Sequence, residues 1–243
     1  MRLALEFKLE KNKIGIEYRK VFMHFLKSCL NYANDGKYYD AFYGDCKAKN
    51  YTFGIFFDAP CFKEDSIELG SNKVKMLFSV EDKLEGYIFY SSFLEKKHKK
   101  IMLTDENYMT LEKVTKIPDP EVHNNKMLIK MNSPLLVRKH NPHTNYDQYY
   151  YYEQEEFADE LANNLRYQLQ QEGFEGRYIE NVRIIPIKCR KVVVQHYGCK
   201  FAGSLGNFLV EGDPIILNYL LKSGITGRRS EGFGMPELLT DDI

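Results

Sequence analysis

The sequence of 243 residues contains no tryptophan and no excess of charge, since 34 Lys and Arg residues balance 34 Asp and Glu residues. A net charge of zero speaks against a highly basic protein that coats nucleic acid, although a sum does not say where the charges lie. No apolar run approaches the roughly 20 residues of a membrane helix. We therefore expect a globular, cytoplasmic protein without membrane contact.

Cysteine is scarce and irregularly placed. No two cysteines form a CxxC pair, and their number is odd; they are Cys29, Cys46, Cys61, Cys189 and Cys199. This spacing speaks against both a disulfide framework and a zinc ribbon, and it favours reduced thiols. The N-terminal segment alternates apolar and polar residues and lacks the apolar core of a signal peptide, so it predicts a first strand.

The sequence does contain a repeated order of predicted elements. In the first half, apolar periodicity predicts strand, helix, strand, strand, helix, strand, with helices over residues 17–34 and 82–97. The second half repeats this order and includes a helix over residues 155–171. Two tandem βαββαβ units predict an α+β fold of two ferredoxin-like (RRM-like) domains. We expect these domains over residues 1–117 and 124–243.

A basic segment follows the acidic helix of the second half. Residues 181–210 contain no Asp or Glu and five cations, which are Arg183, Lys188, Arg190, Lys191 and Lys200. The interleaved Tyr197 and Phe201 would let such a ribbon combine phosphate contacts with base stacking. A solvated strand face with ordinary lysines is the alternative. His196, in the same segment, faces either RNA or the core.

The most informative segment is rich in glycine and lies near the C-terminus. Residues 224–234 contain four glycines and two arginines, which are Gly224, Gly227, Gly232, Gly234, Arg228 and Arg229. Glycine permits positive φ and a close approach of backbone N–H groups to a phosphate, and arginine would add charge-assisted hydrogen bonds. The segment matches neither a Walker loop nor the GxGxxG fingerprint. A tight helix-to-strand connection is the alternative.

In this segment the sequence resembles the CRISPR-associated repeat-RNA endoribonucleases of the RAMP superfamily. These enzymes end in a loop of the form GhGxxxxxGhG, where h is apolar, and the matching residues are Gly224, Gly232, Phe233 and Gly234. Thr226 stands where the family has its second glycine. Residues 212–214 match the family's start of the preceding helix, and Ser133, Pro134, Val137 and Arg138 resemble its SP-xVR strand. In the family this loop supports RNA binding, so the resemblance implies RNA contacts by the loop and by Arg138.

The resemblance also implies a reaction. Such enzymes cut precursor transcripts within the repeat without a metal or another cofactor, by attack of a ribose 2′-OH on the adjacent phosphate, which leaves a 2′,3′-cyclic phosphate and a 5′-OH. This chemistry needs a general base, a general acid and a cation near the phosphorane. The implied partners are precursor and mature guide RNA. Other effector-complex subunits and a second copy of the chain are further candidates.

By the resemblance, the catalytic groups lie on the first helix and in the loop after it. His24 is the candidate general acid or base, Lys27 and Lys49 are candidates for phosphate charge, and Tyr43 is a candidate for positioning. The loop also offers Lys47. In related enzymes a histidine lies about six residues before a lysine near the following strand. In this sequence Tyr43 stands six residues before Lys49 instead of a histidine. The missing histidine favours the alternative of a non-catalytic RAMP subunit that holds guide or repeat RNA in an effector complex.

The remaining candidates are weaker. His140 and His143 form an HxxH pair without a neighbouring Cys pair or a third carboxylate ligand, so we expect no metal site there. The tyrosines at 149–152 would either stack on bases or pack against the sheet. For His24 the alternative is an inert, exposed imidazole. A ferredoxin-like scaffold with no RNA role is a third hypothesis for the whole chain.

Overall fold

The computed structural model describes residues 1–44, 48–103 and 107–243. The first half contains β1 (Arg2–Leu9), β2 (Lys13–Gly15), α1 (Tyr18–Tyr32), α2 (Lys37–Tyr43), β3 (Tyr51–Phe57), β4 (Cys61–Phe62), β5 (Ser66–Glu68), β6 (Lys73–Val80), α3 (Lys83–Lys96), β7 (Lys100–Met102) and β8 (Tyr108–Ile117). The second half contains β9 (Lys126–Met131), β10 (Val137–Asn141), β11 (Tyr146–Tyr150), α4 (Phe157–Gln171), α5 (Arg177–Glu180), β12 (Arg183–His196), β13 (Cys199–Glu211), α6 (Pro214–Ser223) and β14 (Pro236–Thr240).

Two antiparallel sheets repeat the same strand order. The first sheet has the order β3-β6-β1-β8, with β7 added at its edge, and the second has the order β12-β13-β9-β14. Within each unit this places the first and third main strands at the centre, between the second and the fourth. This is the ferredoxin-like arrangement, and the α+β fold of two tandem ferredoxin-like units is confirmed.

Several predicted boundaries are corrected. The first helix ends at Tyr32 rather than at residue 34, because Asn34 and Asp35 have positive φ angles of 49° and 52° that no α-helix continues through. The loop that follows contains a short helix, α2, whose aromatic residues pack against the first core. Residues 137–150, which include His140, His143 and Tyr149, form a hairpin of β10 and β11.

The two sheets have separate cores of different character. The first core is aromatic: Phe7 meets Phe22 and Phe25 edge-on at centroid distances of 5.4 and 5.0 Å, and Phe78 lies 4.7 Å from Phe89. This core explains much of the aromatic content of 14%. The second core is mainly aliphatic and includes Leu161, Leu165, Leu169, Leu217 and Leu220. Buried apolar surface of this kind is the dominant favourable contribution to folding.

The linker between the two halves belongs in part to the second core. β8 ends at Ile117, and Val122 is buried among the residues of the second core. We therefore propose that the second domain begins slightly before residue 124. Within the described residues, no helix combines the length and the apolar character that crossing a bilayer requires.

Side chains of the first sheet join the two halves by donating to backbone carbonyls of the second. Arg2 Nη2 donates to the carbonyl oxygens of Leu221 and Pro236 at 2.9 and 3.0 Å. Thr52 Oγ1 donates to the Phe233 carbonyl at 2.8 Å. These bonds are buried, so losing one partner would leave an unsatisfied polar group in the interior.

Gly232 fits against the first half with no space for a side chain. Its φ is +85°, and a Cβ added there would lie 2.5 Å from Phe53 Cε2. Gly227, five residues earlier in the same segment, has open space at the corresponding position. Packing against the first half therefore requires the missing side chain at Gly232, whereas nothing nearby requires it at Gly227.

We expect Gly232→Ala to lower the free energy of unfolding by about 2 to 4 kcal/mol, because a positive φ and overpacking each cost on the order of 1 to 3 kcal/mol. The matched Gly227→Ala should stay within about 0.5 kcal/mol of the unmodified protein. Urea unfolding of the two variants measures both values. Equal stability of the two variants would contradict this account of Gly232.

Candidate nucleic-acid interface

Three of the predicted catalytic residues meet at one aromatic ring. Lys27 of α1 places its Nζ 5.1 Å from the ring centroid of Tyr43, the last residue of α2, and Lys49 places its Nζ 5.0 Å from the same centroid. Both distances are in the cation–π range. The structure therefore brings Lys27, Tyr43 and Lys49 together in one cluster, which we call the Tyr43 cluster.

The Tyr43 hydroxyl lies in a chain of hydroxyl groups. It is 2.6 Å from the hydroxyl of buried Tyr51, which in turn hydrogen-bonds the side chain of Ser230. Burial raises the pKa of Tyr43 and raises that of Tyr51 further. Both phenols are therefore protonated at neutral pH, and the chain connects the Tyr43 cluster to the glycine-rich segment. The sequence analysis did not identify Tyr51 or Ser230. The available signal was the position of Tyr51 in a predicted strand, because a buried phenol needs a hydrogen-bond partner.

His24 lies on α1 one helical turn before Lys27, on the exposed side of the helix. Residues three apart on a helix are surface neighbours, so an imidazole here is next to the Tyr43 cluster. Lys47 lies outside the described residues. The arrangement offers two cations, a protonated phenol and, one turn away, an imidazole.

The glycine-rich segment divides into an outer and an inner part. Gly227 is exposed and Arg228 is half-buried. Arg229 points inward, and its Nη1 donates to the hydroxyls of Tyr219 and Ser223 at 3.0 and 3.1 Å. The expected phosphate contact by Arg229 is therefore corrected, because its guanidinium already satisfies buried hydroxyl groups.

The other three glycines of the segment are also internal. Gly224, Gly232 and Gly234 are buried and have positive φ. At Gly224 a Cβ would lie 2.8 Å from Thr52 Cβ. Gly224 and Gly232 therefore pack closely against the first half, whereas a Cβ at Gly234 would lie 2.1 Å from the Ile225 carbonyl oxygen within the segment. The expected RNA contact by these three glycines is corrected, and the alternative of a tight connection describes this part of the segment.

His196 faces the core. The side chain is fully buried, its Nε2 donates to Glu231 Oε2 at 2.8 Å, and its ring lies 5.5 Å from that of Phe233. Its other nitrogen, Nδ1, has no hydrogen-bond partner among the described residues. Of the two directions that the sequence left open for His196, the structure gives the core, so the candidate RNA contact is corrected: the imidazole hydrogen-bonds Glu231 of the glycine-rich segment from inside.

Arg228 is held at the surface by groups from three elements. Its Nε donates to the Tyr149 hydroxyl at 2.9 Å and its Nη1 to Glu231 Oε2 at 3.0 Å, while the guanidinium lies 5.0 Å from the Phe201 ring centroid. The Tyr149 and Phe201 rings pack together at 4.5 Å. An arginine fixed in this way keeps its charge and loses little conformational freedom when an anion binds.

Asp147 connects Arg228 to the β10–β11 hairpin. Its carboxylate accepts hydrogen bonds from Arg138 at 3.1 Å and from His140 at 2.8 Å, and it lies 3.7 Å from Arg228 Nη2. Burial acts to raise the pKa of Asp147, but the hydrogen bond from His140 and the charge of Arg138 outweigh it and lower the pKa. His140 is thus paired with a carboxylate. In the ranges that the structure describes, no group of three or more His, Cys, Asp or Glu residues suits a metal ion.

The basic strand borders a groove between the two halves. Lys188, Arg190 and Lys191 are exposed on β12, and Lys191 Nζ lies 4.1 Å from the ring centroid of Tyr151. Arg190 and Lys200 line a groove of about 1540 Å³ whose opposite wall comes from the first half. Two of the five cations of the predicted basic ribbon, Arg190 and Lys200, therefore line this groove.

Comparison with known proteins gives the following matches. Residues 117–238 match the family model described as CRISPR associated protein Cas6, C-terminal. The fold is similar to that of a Cas6-related gene product from Pyrococcus furiosus, with a TM-score of 0.84, 17% identity and coverage of 100% of this chain and 99% of that chain. It is also similar to an RAMP protein binding different RNA substrates, with a TM-score of 0.81, 16% identity and coverage of 99% and 100%. A Cas6 product complex matches with a TM-score of 0.68, 14% identity and coverage of 98% and 100%. No curated protein sequence matches the chain.

The His196–Glu231 pair predicts a pH dependence of stability. Burial acts to raise the pKa of Glu231, but the hydrogen bond from His196 and the charge of Arg228 lower it. A carboxyl whose pKa is lowered by folding stabilises the protein above its unfolded pKa and loses this contribution as the pH falls through its folded pKa. We expect Glu231→Gln to cost about 1 to 3 kcal/mol at neutral pH, the range for hydrogen bonds to charged groups.

The same variant should flatten the decline of Tm below about pH 5, because the variant has no carboxyl to protonate. Thermal unfolding followed across an acidic pH series tests this. Glu175→Gln, which changes an exposed carboxyl, is the control and should leave the curve unchanged. If Tm falls in the same way below about pH 5 in the unmodified protein, Glu231→Gln and Glu175→Gln, the role of Glu231 is contradicted.

Proposed function

The chain belongs to the Cas6 family of CRISPR-associated proteins, whose C-terminal family model matches residues 117–238, and from this premise we propose that it binds and processes CRISPR repeat RNA. The observation that carries the proposal is the convergence of Lys27 and Lys49 on the ring of Tyr43. Two ammonium groups, each about 5 Å from the ring of a protonated phenol, form a site suited to a phosphate and its developing charge. A similar Cas6 structure is described as a product complex.

We propose that the reaction is a metal-independent transesterification. The 2′-oxygen forms a bond to phosphorus while the bond to the 5′-oxygen breaks, which yields a 2′,3′-cyclic phosphate and a 5′-OH. One group accepts the 2′ proton and another gives a proton to the 5′-oxygen. His24 serves as one of these groups, Lys27 and Lys49 stabilise the phosphorane, and Tyr43 donates a hydrogen bond that orients the phosphate.

The RNA path proposed here runs from the Tyr43 cluster to the outer surface of the second half. Arg138 and Arg228 supply fixed guanidinium groups near the β10–β11 hairpin, and Lys188, Arg190 and Lys191 supply charge along β12. The groove between the halves has cations and apolar strand residues on its walls, and Glu17, Glu64 and Asp65 also line it on the side of the first half. Such a surface suits single-stranded RNA, which is held by phosphate contacts and stacking together.

A second candidate function is RNA binding without cleavage. Tyr43 occupies the position of the loop histidine of related enzymes, and burial raises its pKa, so it is a poor proton acceptor at neutral pH. A similar protein is described as an RAMP protein binding different RNA substrates. The chain would then hold repeat or guide RNA in a larger effector complex.

Cleavage of the cognate repeat RNA separates these two functions. We expect cleavage in EDTA with a 2′,3′-cyclic phosphate end, and His24→Ala should slow it by roughly 100-fold or more if His24 transfers a proton. His98→Ala, which removes another exposed imidazole, is the matched control and should cleave normally. Product analysis by denaturing gel and mass spectrometry measures both results.

Tight binding of the repeat RNA without any cyclic phosphate product would favour the non-catalytic function instead. An unchanged cleavage rate in His24→Ala would contradict the role of His24 and leave the chemistry to the Tyr43 cluster. If the unmodified protein neither binds nor cleaves the repeat RNA, the proposal as a whole is contradicted.

The basic strand predicts a specific salt dependence. The double variant Arg190→Ala, Lys191→Ala should weaken RNA binding and reduce the slope of log K against log salt by about 1 to 2, because each phosphate contact to a single strand contributes about 0.7. The double variant Lys113→Ala, Lys116→Ala, on an exposed part of β8, is the control and should keep both the affinity and the slope. Fluorescence anisotropy over a salt series measures these values, and equal slopes in the two variants would refute the contact.

A further inference from the structure

The hydroxyl group of Tyr51 is not explained by packing. Tyr51 is 1% exposed, and its ring lies 5.4 and 5.2 Å from the rings of Phe78 and Phe89, so a phenylalanine would fill the same space in the first core. A buried hydroxyl costs free energy unless it is hydrogen-bonded. The reason for a tyrosine at this position therefore lies in the hydrogen bonds of its hydroxyl group.

These hydrogen bonds lead in two directions. The Tyr51 hydroxyl is 2.6 Å from the hydroxyl of half-buried Tyr43. It also hydrogen-bonds the side chain of Ser230, which belongs to the glycine-rich segment. The hydroxyl groups of Ser230, Tyr51 and Tyr43 thus form a line from that segment to the Tyr43 cluster, and we call them the hydroxyl line.

A neighbouring contact fixes the geometry of the hydroxyl line. Thr52, which follows Tyr51 in β3, donates a buried hydrogen bond to the Phe233 carbonyl at 2.8 Å. The backbone of the glycine-rich segment, and Ser230 with it, is therefore held against the start of β3. A hydrogen-bond partner that is already in place loses little conformational freedom when a substrate binds.

The hydroxyl line has a direction, because each hydroxyl group has only one proton to donate. In the proposed reaction Tyr43 donates its proton to the phosphate, and a hydrogen bond to an ionised acceptor is about twice as strong as one between neutral groups. The Tyr43 oxygen then accepts from Tyr51, and the Tyr51 oxygen accepts from Ser230. Hydrogen bonds that run in the same direction polarise and strengthen one another.

We propose that Tyr51 is a positioning residue, which with Ser230 behind it aims the Tyr43 O–H at the phosphate that the Tyr43 cluster holds. The O–H bond of a phenol prefers the ring plane and so has two orientations. A hydrogen bond donated to the oxygen from one side leaves the other side for the proton. Tyr51 is buried and acts through Tyr43 rather than by contact with the RNA. This role rests on the proposed function, which brings the phosphate to the cluster.

The test is a mutant cycle on Tyr43 and Tyr51 in cleavage of the cognate repeat RNA. Tyr51→Phe keeps the ring and should lower kcat by roughly tenfold while KM changes by less than about twofold, because the negative charge that Tyr43 meets grows in the transition state. Tyr43→Phe should lower kcat by the same factor or more. The double variant should cleave as slowly as Tyr43→Phe alone, since Tyr51 acts only through Tyr43.

Two comparisons distinguish this role from a loss of structure. Tyr90→Phe removes a phenol hydroxyl from another side chain that packs against the first core, and it should leave kcat unchanged. Ser230→Thr keeps a hydroxyl group at the far end of the line and should keep kcat, whereas Ser230→Ala should lower kcat by a smaller factor than Tyr51→Phe does. Circular dichroism and thermal unfolding of each variant check that the fold is intact.

The outcomes separate the role of Tyr51 from the proposed function. If Tyr51→Phe cleaves at the unmodified rate, or if the losses of the two single variants multiply in the double variant, the role of Tyr51 is overturned while the proposed function stands. If the unmodified chain binds the repeat RNA without cleaving it, the proposed reaction is wrong, and the same cycle is measured on RNA affinity. Equal weakening by Tyr43→Phe and by the double variant then supports the hydroxyl line, and multiplied weakening overturns it. A chain that neither binds nor cleaves the RNA overturns both.

Discussion

Thr52 donates a 2.8 Å hydrogen bond to the carbonyl of Phe233, and the rest of the structure is arranged around this contact. Gly224 and Gly232 bring the backbone of the second half against Thr52 and Phe53, where a Cβ on either glycine would collide with the first half. Arg19 closes the same contact from α1, since its Nε donates to the Gly232 carbonyl at 3.1 Å and its guanidinium lies 4.6 Å from the centroid of the Phe233 ring. The glycine-rich segment is thus a joint between the two ferredoxin-like units.

The position of this joint determines what reaches the surface. His196 and Arg229 support the segment from inside, and Arg228 emerges from it with positive φ and a fixed guanidinium. On the other side, Ser230 hydrogen-bonds Tyr51, whose hydroxyl holds that of Tyr43. The surface arginine and the Tyr43 cluster are therefore both positioned by one segment of backbone. A change at the joint would move both surfaces at once.

Periodicity and local signals predict the fold well but not the direction of individual side chains. The alternation of strands and the apolar stripe of α1 predict the ferredoxin-like units, and Asp213 with Pro214 predicts the start of α6, because these signals are local. The inward direction of Arg229 depends on Tyr219 and Ser223, which a linear pattern does not bring together. The convergence of Lys27 and Lys49 on Tyr43 depends on α2, which was predicted as loop. Residue type identifies the candidates for a site, and only the packing assigns their direction.

The Tyr43 cluster separates two requirements of RNA cleavage that a histidine would combine. An imidazole both carries charge and exchanges a proton near neutral pH. Here the charge comes from Lys27 and Lys49, while burial raises the pKa of the Tyr43 phenol, which therefore exchanges no proton at that pH. In the proposed reaction, the cluster would bind the phosphate and a group outside it would transfer the proton. His24 lies one turn from Lys27 on the exposed side of α1, and it is the group that we propose for this step. Cleavage that needs His24 would divide charge and proton transfer between two neighbouring places, and cleavage without it would assign both to the Tyr43 cluster.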